Sequence, residues 1–500
     1  MNRRQFLQST ALPFSSRPAG TTSFRAAFAE RDITPEIGME QPGGYGKVFH
    51  KSLHDPCKVR TAVFDDGSRR VALVGVDALI VPRHLVVAVR KAIQEKYGIA
   101  PEAVLIGASH SHSSGPTGMV QPGEFDDAPP LVRKLAYELS SCADARYLER
   151  VREEIIAAVS QAAVSLVEAR CGFGSGREDK VAFNRRFRMK NGLTWTHPGK
   201  GNPDIIAPAG PTDPEVGVIG AWDKDGKPLG CIVNFACHAT TSPGGISANW
   251  ICYLEKTIRG ALGSDVIVVF LAGACGDVTQ VDNLNPQANP GAEQWCQLVG
   301  GRVGAEAVKV LLSMPASAEV PLDARSALLR IKRRVPSPGR VRRCLEIVQK
   351  SPKEVGATEW TFAKEIVLLD WMLKKEPVVG TEVQAVQVGP AVFLANPAEF
   401  FCQLGLDIKK GSNFPLTFPV ELANGCVGYV PTEEALGPHG GGYETRLTSY
   451  SNLEPKAGTR IVEASLALAR QLKPGLLPQR PKAPPFKEPW SYGNVPPERS

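Results

Sequence analysis

The sequence predicts an α/β fold, a central mixed β-sheet flanked by helices in a single large domain. Three observations carry this reading. Runs that are apolar at nearly every position, such as "RVALVGVDALIV" and "DVIVVFLAG", have the pattern of strands buried on both faces. They alternate along the chain with segments of helical periodicity, the order that lays helices against a sheet. No linker or internal repeat breaks the stretch from residue 23 to residue 472 of the 500-residue chain, so its apolar surface is assigned to one core.

In chain order, "TAVF" and "RVALVGVDALIV" flank the turn Asp66-Gly67 and form a hairpin. In "HLVVAVRKAIQEKYG", Leu85, Val89 and Ile93 fall at helical spacing and Gly98 supplies the stop. The strand "AVLIGA" follows, and then a helix over residues 146 to 168. "VGVIGAWDKDGKPLGCIVNFACH" is a hairpin turned at Asp225-Gly226, "DVIVVFLAG" a short buried strand, and "EVQAVQVGPAVFLANP" a hairpin turned at Gly389-Pro390. "AEFFCQLGLDI" reads as a helix with Glu399 in its first turn. From "KPGLLPQRPKAPPFKEPW" onward, residues 473 to 500, the proline density requires an extended tail.

Composition removes several function classes. The formal charge of +7 is spread along the chain, and its densest cluster, "RIKRRVPSPGRVRR" at 330 to 343, has no interleaved aromatics. That is a solvated face rather than a nucleic-acid surface. Eleven cysteines contain no C-x-x-C pair, which argues against zinc-ribbon and thioredoxin-type sites. Several, including Cys231, Cys237 and Cys402, sit in apolar runs and read as buried thiols, with disulfides open only if the protein is exported. No apolar stretch reaches the ~18 to 20 residues of a membrane-spanning helix. Residues 1 to 22 read as a twin-arginine leader or a disordered start: Arg3 and Arg4 precede Phe6 and Leu7, while Pro13 and Arg17 interrupt the apolar segment. An exported protein, periplasmic or extracellular, is expected, with a cytoplasmic one as the alternative.

The candidate site lies at strand ends. His110 follows "AVLIGAS", His238 follows "CIVNFAC", Asp277 follows "VIVVFLAGACG", and Glu399 follows "AVFLANPA". Ligand sites of α/β sheets collect there because a buried strand fixes a loop that is free to carry chemistry. If "SHSHS" is extended, His110 and His112 project to the same side, presenting a metal ligand beside an acid/base group. Neutral imidazole is the commonest zinc ligand and a carboxylate a usual third partner. The competing readings are loop histidines bonded to backbone, a structural His238, and a Glu399 that simply favours its helix dipole. Other templates fit poorly. No G-x-S-x-G elbow occurs, "GFGSG" at 172 to 176 lacks dinucleotide-loop spacing, and Cys275 in "AGACGD" has no adjacent base and reads as packing.

At these residues the sequence resembles the catalytic domain of the neutral/alkaline ceramidases, zinc-dependent amidases that cleave N-acyl-sphingosine. The matching strings run in family order from about 30 to 445: "RDITPEIGMEQPGGYG", "SHSHSSGP", "FNRRF", "NFACHATT", "GACGDVTQ", "NPAEFF" and "NGCVGYVPTEEA...GGYE". The resemblance implies that His110, His238, Glu399 and Tyr443 bind one Zn2+. It implies an acid/base or substrate-orienting role for His112 and an oxyanion-holding role for Arg185. His439 and Tyr450 are rival candidates to Tyr443 in and after the glycine-rich loop, which is mobile by composition. Asp277 is assigned to loop support or to a histidine's second nitrogen.

Two departures from the family pattern bear on the reaction. Ceramidases carry serine in "GDVS" where this chain has Thr279 in "GDVT"; a β-branched secondary alcohol is stiffer and more hindered, which favours a metal-activated water as nucleophile and leaves Thr279 to help stabilise the oxyanion. Ceramidases also continue into a β-sandwich where this sequence runs into its proline-rich tail, so ceramide itself is left open as the substrate. The expected function is a zinc-dependent hydrolase of a carboxamide, acting on a small-molecule or lipid-like N-acyl compound. The rivals are a metal-dependent esterase or sugar-amide hydrolase of the same superfamily, and a non-catalytic envelope-binding protein.

Overall fold

The computed structural model describes residues 23–480, 482–493 and 495–500. The twin-arginine reading of residues 1–22 lies outside the described residues. Nine strands form the main sheet, in the order Ile267–Ala272, Pro228–Phe235, Glu215–Asp223, Val167–Arg177, Arg25–Asp32, Lys58–Asp65, Arg70–Val76 and Val104–Ala108, with Ala316–Ser317 also paired to Val167–Arg177. The pair at each end is parallel and the inner pairs are antiparallel, so the sheet is mixed, as the alternating pattern predicts.

Each half is built around a hairpin legible in the sequence. Asp65 pairs with Arg70 across the Asp66-Gly67 turn, where Gly67 has φ 84°, a value that favours glycine. The second hairpin turns through Gly226 at φ 87°. Only two residue pairs, Arg25 with Glu168 and Ala26 with Val167, join the halves. About this narrow joint the sheet folds over, and Ile267–Ala272 packs back against Lys58–Asp65, Arg70–Val76 and Val104–Ala108. The approach is close enough that a Cβ on Gly75 would lie 2.4 Å from the Phe270 carbonyl oxygen.

Helices Arg83–Tyr97 and Ala145–Val164 pack together at one half, and Ile251–Leu262 and Ala292–Leu311 at the other. Gly98 closes the first of these helices in the left-handed conformation, φ 68°. The helix expected over 146 to 168 ends at Val164. Residues Val167–Arg177, including "GFGSG", are instead a long strand whose burial alternates at both ends.

A second sheet was not evident in the sequence. Leu322–Lys332, Val378–Val388, Ala391–Ala395 and Leu416–Val420 form four strands, the last pair parallel. The hairpin at Gly389-Pro390 therefore belongs to this sheet and not to the central one. Its Val386, Phe393 and Phe418 share a core with Phe64, Leu73 and Ile106 of the main sheet. Its other face is covered by helix Ala457–Ala469.

From residue 474 onward the described residues contain no helix or strand. The start of this tail is tied down, with the Gly475 N–H donating to Gly389 O at 3.0 Å. All eleven cysteines are free, and all but Cys142 and Cys426 are buried. Among the described residues no helix is long and apolar enough to cross a membrane.

Candidate active site

Three parallel strand pairs aim their C-terminal ends at one cavity of about 370 Å³. The loop after Val104–Ala108 brings His110 and His112, the loop after Pro228–Phe235 brings His238, and the loop after Ala391–Ala395 brings Glu399. The loop after Ile267–Ala272 brings Thr279, and the pairing of Val278–Thr279 with Phe183–Asn184 sets Arg185 beside it.

"SHSHS" does not run as an extended strand. His110 takes φ 60°, in the left-handed region, and the Ser111 N–H donates to Ala78 O while the His112 N–H donates to Ala239 O, each at 3.1 Å. The two rings still meet, with centroids 4.7 Å apart and planes at 82°. Their convergence is thus made by a turn held from two sides rather than by strand alternation. Room for His112 comes from Gly43, at φ 107°, where a Cβ would lie 2.2 Å from the imidazole Nδ1.

One ring nitrogen from each of His110, His112 and His238 lies within 4.8 Å of the others. The Nδ1 of His110 contacts Leu79 O at 3.0 Å and that of His238 contacts Cys275 O at 2.7 Å. A carbonyl only accepts, so both Nδ1 atoms carry a proton, and whenever these rings are neutral their Nε2 lone pairs turn inward. Those lone pairs face Glu399 Oε2 at 3.3 and 3.2 Å, and His112 Nε2 lies 3.2 Å from His110 Nε2. Lone pairs set against a buried carboxylate repel unless a proton or a metal cation lies among them, and converging imidazole nitrogens beside a carboxylate make a donor set that fits a metal ion such as zinc.

Electrostatics divide the three rings. Burial opposes charge on all of them, but the Glu399 carboxylate outweighs it at His110 and raises that pKa. Burial together with the neighbouring His110 and His238 holds His112 well below the usual imidazole value. Burial and the Arg185 charge lower His238 to about 4. Burial would raise Glu399, yet His110 and His238 hold it well below the usual carboxylate range.

Arg185 is buried, donating from Nε to Glu444 Oε1 and from Nη2 to Gly276 O, both at 2.8 Å, with Nη1 3.4 Å from His238 Nε2. Burial disfavours its charge, and Tyr443, Tyr429, Glu444 and Glu399 more than offset that. The Tyr443 hydroxyl lies 3.1 Å from that of Tyr429, and its ring stacks 5.1 Å from the Arg185 guanidinium. The loop before Tyr443 is tied to the Thr194 strand, whose N–H donates to Gly440 O at 3.1 Å. Thr279 faces the cavity and its hydroxyl oxygen accepts from Val281 N at 3.2 Å. Tyr450 is also in the wall, whereas His439 is exposed and bonded to Gly192 O, away from the cavity.

Two sequence expectations are corrected. Of the two roles expected of Asp277 it has the loop-supporting one and not that of a histidine's partner: its carboxylate accepts from Asn184 Nδ2 and Cys402 N, each at 2.8 Å, while backbone carbonyls orient the rings. Glu399 is not in a helix: Glu399–Phe400 pairs in parallel with Tyr429–Val430, and the helix starts at Cys402. The helix-dipole reading of Glu399 therefore lapses. What fixes this short strand is Glu421, fully buried, which accepts from Phe400 N and Cys275 N at 2.9 Å and from Cys275 Sγ at 2.8 Å. Burial pushes Glu421 up to about 7 and raises the Cys275 thiol, which is a packing and anchoring group. Glu421, Glu444, Tyr429, Tyr45, Met119 and Trp295 were all missed from the sequence. Tyr45, Tyr429 and Glu444 carried a signal, since they stand inside "RDITPEIGMEQPGGYG" and "NGCVGYVPTEEA...GGYE".

A second group, His54, Asp55 and Cys252, also gathers three ligand-type side chains. Here the polar atoms already have partners: His54 bridges Asp55 at 2.6 Å and Glu293 at 2.5 Å, and Asp55 also accepts from Ala248 N and Ser247 Oγ. It reads as a clasp between loops rather than a metal site.

No protein-family model matches the chain, and no curated protein matches it. Two solved structures share its fold. A ceramidase complexed with C2 superposes with a TM-score of 0.64 at 18% identity, over 91% of this chain and 77% of that one. Neutral ceramidase from Pseudomonas aeruginosa gives 0.64 at 20% identity, over 92% of this chain and 76% of that one. The ceramidase fold predicted from the motifs is thus the fold of this chain.

Proposed function

We propose that this ceramidase-fold chain is a zinc-dependent hydrolase of a carboxamide bond, acting on an N-acyl amide or N-acyl lipid. The observation that carries the reading is the convergence of the buried His110 and His238 Nε2 atoms on the buried Glu399 carboxylate in the cavity wall. His110, His238 and Glu399, joined by Tyr443, would hold the ion. Zinc supplies a Lewis acid there, lowering the pKa of water from about 15.7 to about 7 and polarising a carbonyl.

The chain's own groups do the rest. His112 is neutral at working pH, because its pKa is held well below the usual value, so its lone pair accepts the proton from the attacking water and returns it to the leaving amine. Arg185 is fixed by Glu444 and Gly276 with Nη1 toward the histidines, the placement needed to hold the oxygen on which negative charge develops. Thr279, with its hydroxyl proton uncommitted, is the second donor on that side. The cavity volume is at the small end of the ~300 to 1,000 Å³ typical of ligand sites, which suits a single amide and its immediate neighbours.

Metal analysis of the purified protein, followed by hydrolysis of a panel of N-acyl amides, esters and sugar amides, tests this. About one zinc per chain and turnover of linear amides is the expected result, and His238→Ala should lower bound zinc at least tenfold. Ester turnover without amide turnover would move the chain to the esterase reading. Metal without any turnover would leave a binding protein.

A further inference from the structure

The reaction cavity is backed by a second chamber of about 350 Å³, and the two have Met119 and Tyr450 in common. The same pair also walls off a small recess of about 50 Å³ beside them. The chambers open on different sides: the reaction cavity has Gly44 and Asn289 exposed at its rim, while the second has His84 exposed, Arg83 with a side chain 39% exposed and Glu376 at 53%. Met119 and Tyr450 are thus the residues that face both chambers.

The two residues differ in how firmly they are held. The Tyr450 carbonyl accepts from Tyr429 N at 3.1 Å, its N–H donates to Thr448 Oγ1 at 3.2 Å, and its hydroxyl lies 3.4 Å from Cys426 Sγ. Its backbone also sits so close to Gly428, at φ 74°, that a Cβ there would be 1.6 Å from Tyr450 O. Met119 is half-buried, and an unbranched thioether with three rotatable bonds swings at little cost. Beyond it the chamber wall sets Ile80, Met372 and Val427 among Gln121, Glu124 and Arg83, and ends at the ion pair Arg333–Glu376, 2.7 Å long. An apolar strip of Ile80, Val427 and Met372 bordered by polar and charged groups suits an alkyl chain whose far end reaches solvent.

We infer that Met119 is a specificity-determining residue: its side chain is the movable partition between the reaction cavity and a second chamber that receives the distal part of a linear alkyl chain. The inference rests on the N-acyl hydrolase reading for its kinetic test, and has a binding test that does not. In the kinetic test, full-length zinc-loaded wild type, Met119→Ala and Met119→Trp are compared on acetyl, octanoyl and palmitoyl amides of one amine. A second series varies the alkyl length of the amine on a fixed acetyl group. The readout is the long-to-short ratio of kcat/KM, which a general loss of stability does not move. In whichever arm enters the chamber, Met119→Ala should raise that ratio about tenfold and Met119→Trp lower it about tenfold, the scale of chain-fit discrimination in apolar pockets.

Unchanged ratios in both series overturn the partition. If the wild type cleaves none of these amides, the hydrolase reading fails on its own, and affinity for the fluorescent fatty acid cis-parinaric acid decides the partition. Tighter binding by Met119→Ala and weaker binding by Met119→Trp supports it, and equal binding by all three proteins overturns it.

Discussion

At the scale of single residues, the histidines of "SHSHSSGP" have separate duties although the sequence presents them as equals. His110 has its Nδ1 committed to Leu79 O and its Nε2 against Glu399, the arrangement of a ligand whose second nitrogen is oriented. His112 has no such carbonyl on its ring; its contact is with the other histidine. His110→Ala should therefore lose zinc at least tenfold. His112→Ala should keep most of it and lose roughly 10²- to 10⁴-fold in turnover, read by metal analysis beside single-turnover rates. Equal metal loss in both variants would make His112 a ligand.

The same residue sets a pH expectation. A lowered imidazole pKa means that the neutral, proton-accepting form is complete above pH 6.5 and is lost only on further acidification. The ratio of wild-type to His112→Ala rates should accordingly stay constant from pH 6.5 to 8 and fall below it. A ratio that climbs through pH 7 would contradict the neutral ring.

At the scale of elements, the cavity wall depends on segments that the His54 clasp ties together. His54 and Asp55 precede strand Lys58–Asp65, Ser247 and Ala248 precede helix Ile251–Leu262, and Glu293 is in the first turn of Ala292–Leu311. Trp295, in the same helix as Glu293, and Thr240, in the loop that leads to Ser247, line the cavity. Burial opposes the His54 charge, but Asp55 and Glu293 prevail and raise its pKa. A raised histidine contributes stability in full below its unfolded value of about 6.5, and that contribution is lost as pH rises through the folded value. His54→Gln should thus destabilise by roughly 1 kcal/mol near pH 6, an amount kept small because Glu293 is 44% exposed and solvent screens the pair. Denaturant melts at pH 6 and pH 8.5 check this, and a gap between the two proteins that widens at pH 8.5 would refute it.

At the scale of the whole molecule, the site exists because the sheet closes on itself. His110 and His238 leave strands on different halves, and only the fold-over at Arg25–Asp32 and Val167–Arg177 brings those strand ends together. Gly75 is where the halves press closest, against a backbone carbonyl that cannot rotate away as a side chain would. Gly75→Ala should cost about 1 to 3 kcal/mol by overpacking and lower zinc content along with the melting temperature. A Gly75→Ala protein with unchanged Tm and full metal would show that the closure has slack.

The sequence by itself determined the local elements and the strand-end candidates His110, His112, His238 and Glu399, because period, turn glycines and strand-end position are properties of neighbouring residues, whereas Arg185, Thr279 and Tyr443 followed from the motif resemblance. The turns at Asp66-Gly67, Asp225-Gly226 and Gly389-Pro390, the stop at Gly98 and the clustering of His110, His112, His238, Glu399, Arg185, Thr279 and Tyr443 in one cavity were all legible there. Only the tertiary structure decided what depends on distant segments. The second sheet could not be read because Leu322–Lys332 alternates like any edge strand and nothing local names its partner. Glu399 could not be placed in a strand because its partner, Tyr429, is thirty residues on and its anchor, Glu421, shows in the sequence only as a carboxylate in an apolar run. The left-handed turn at His110, the room made by Gly43 and the partition at Met119 are set by contacts across the fold, and local pattern carries no information about which segments those contacts join.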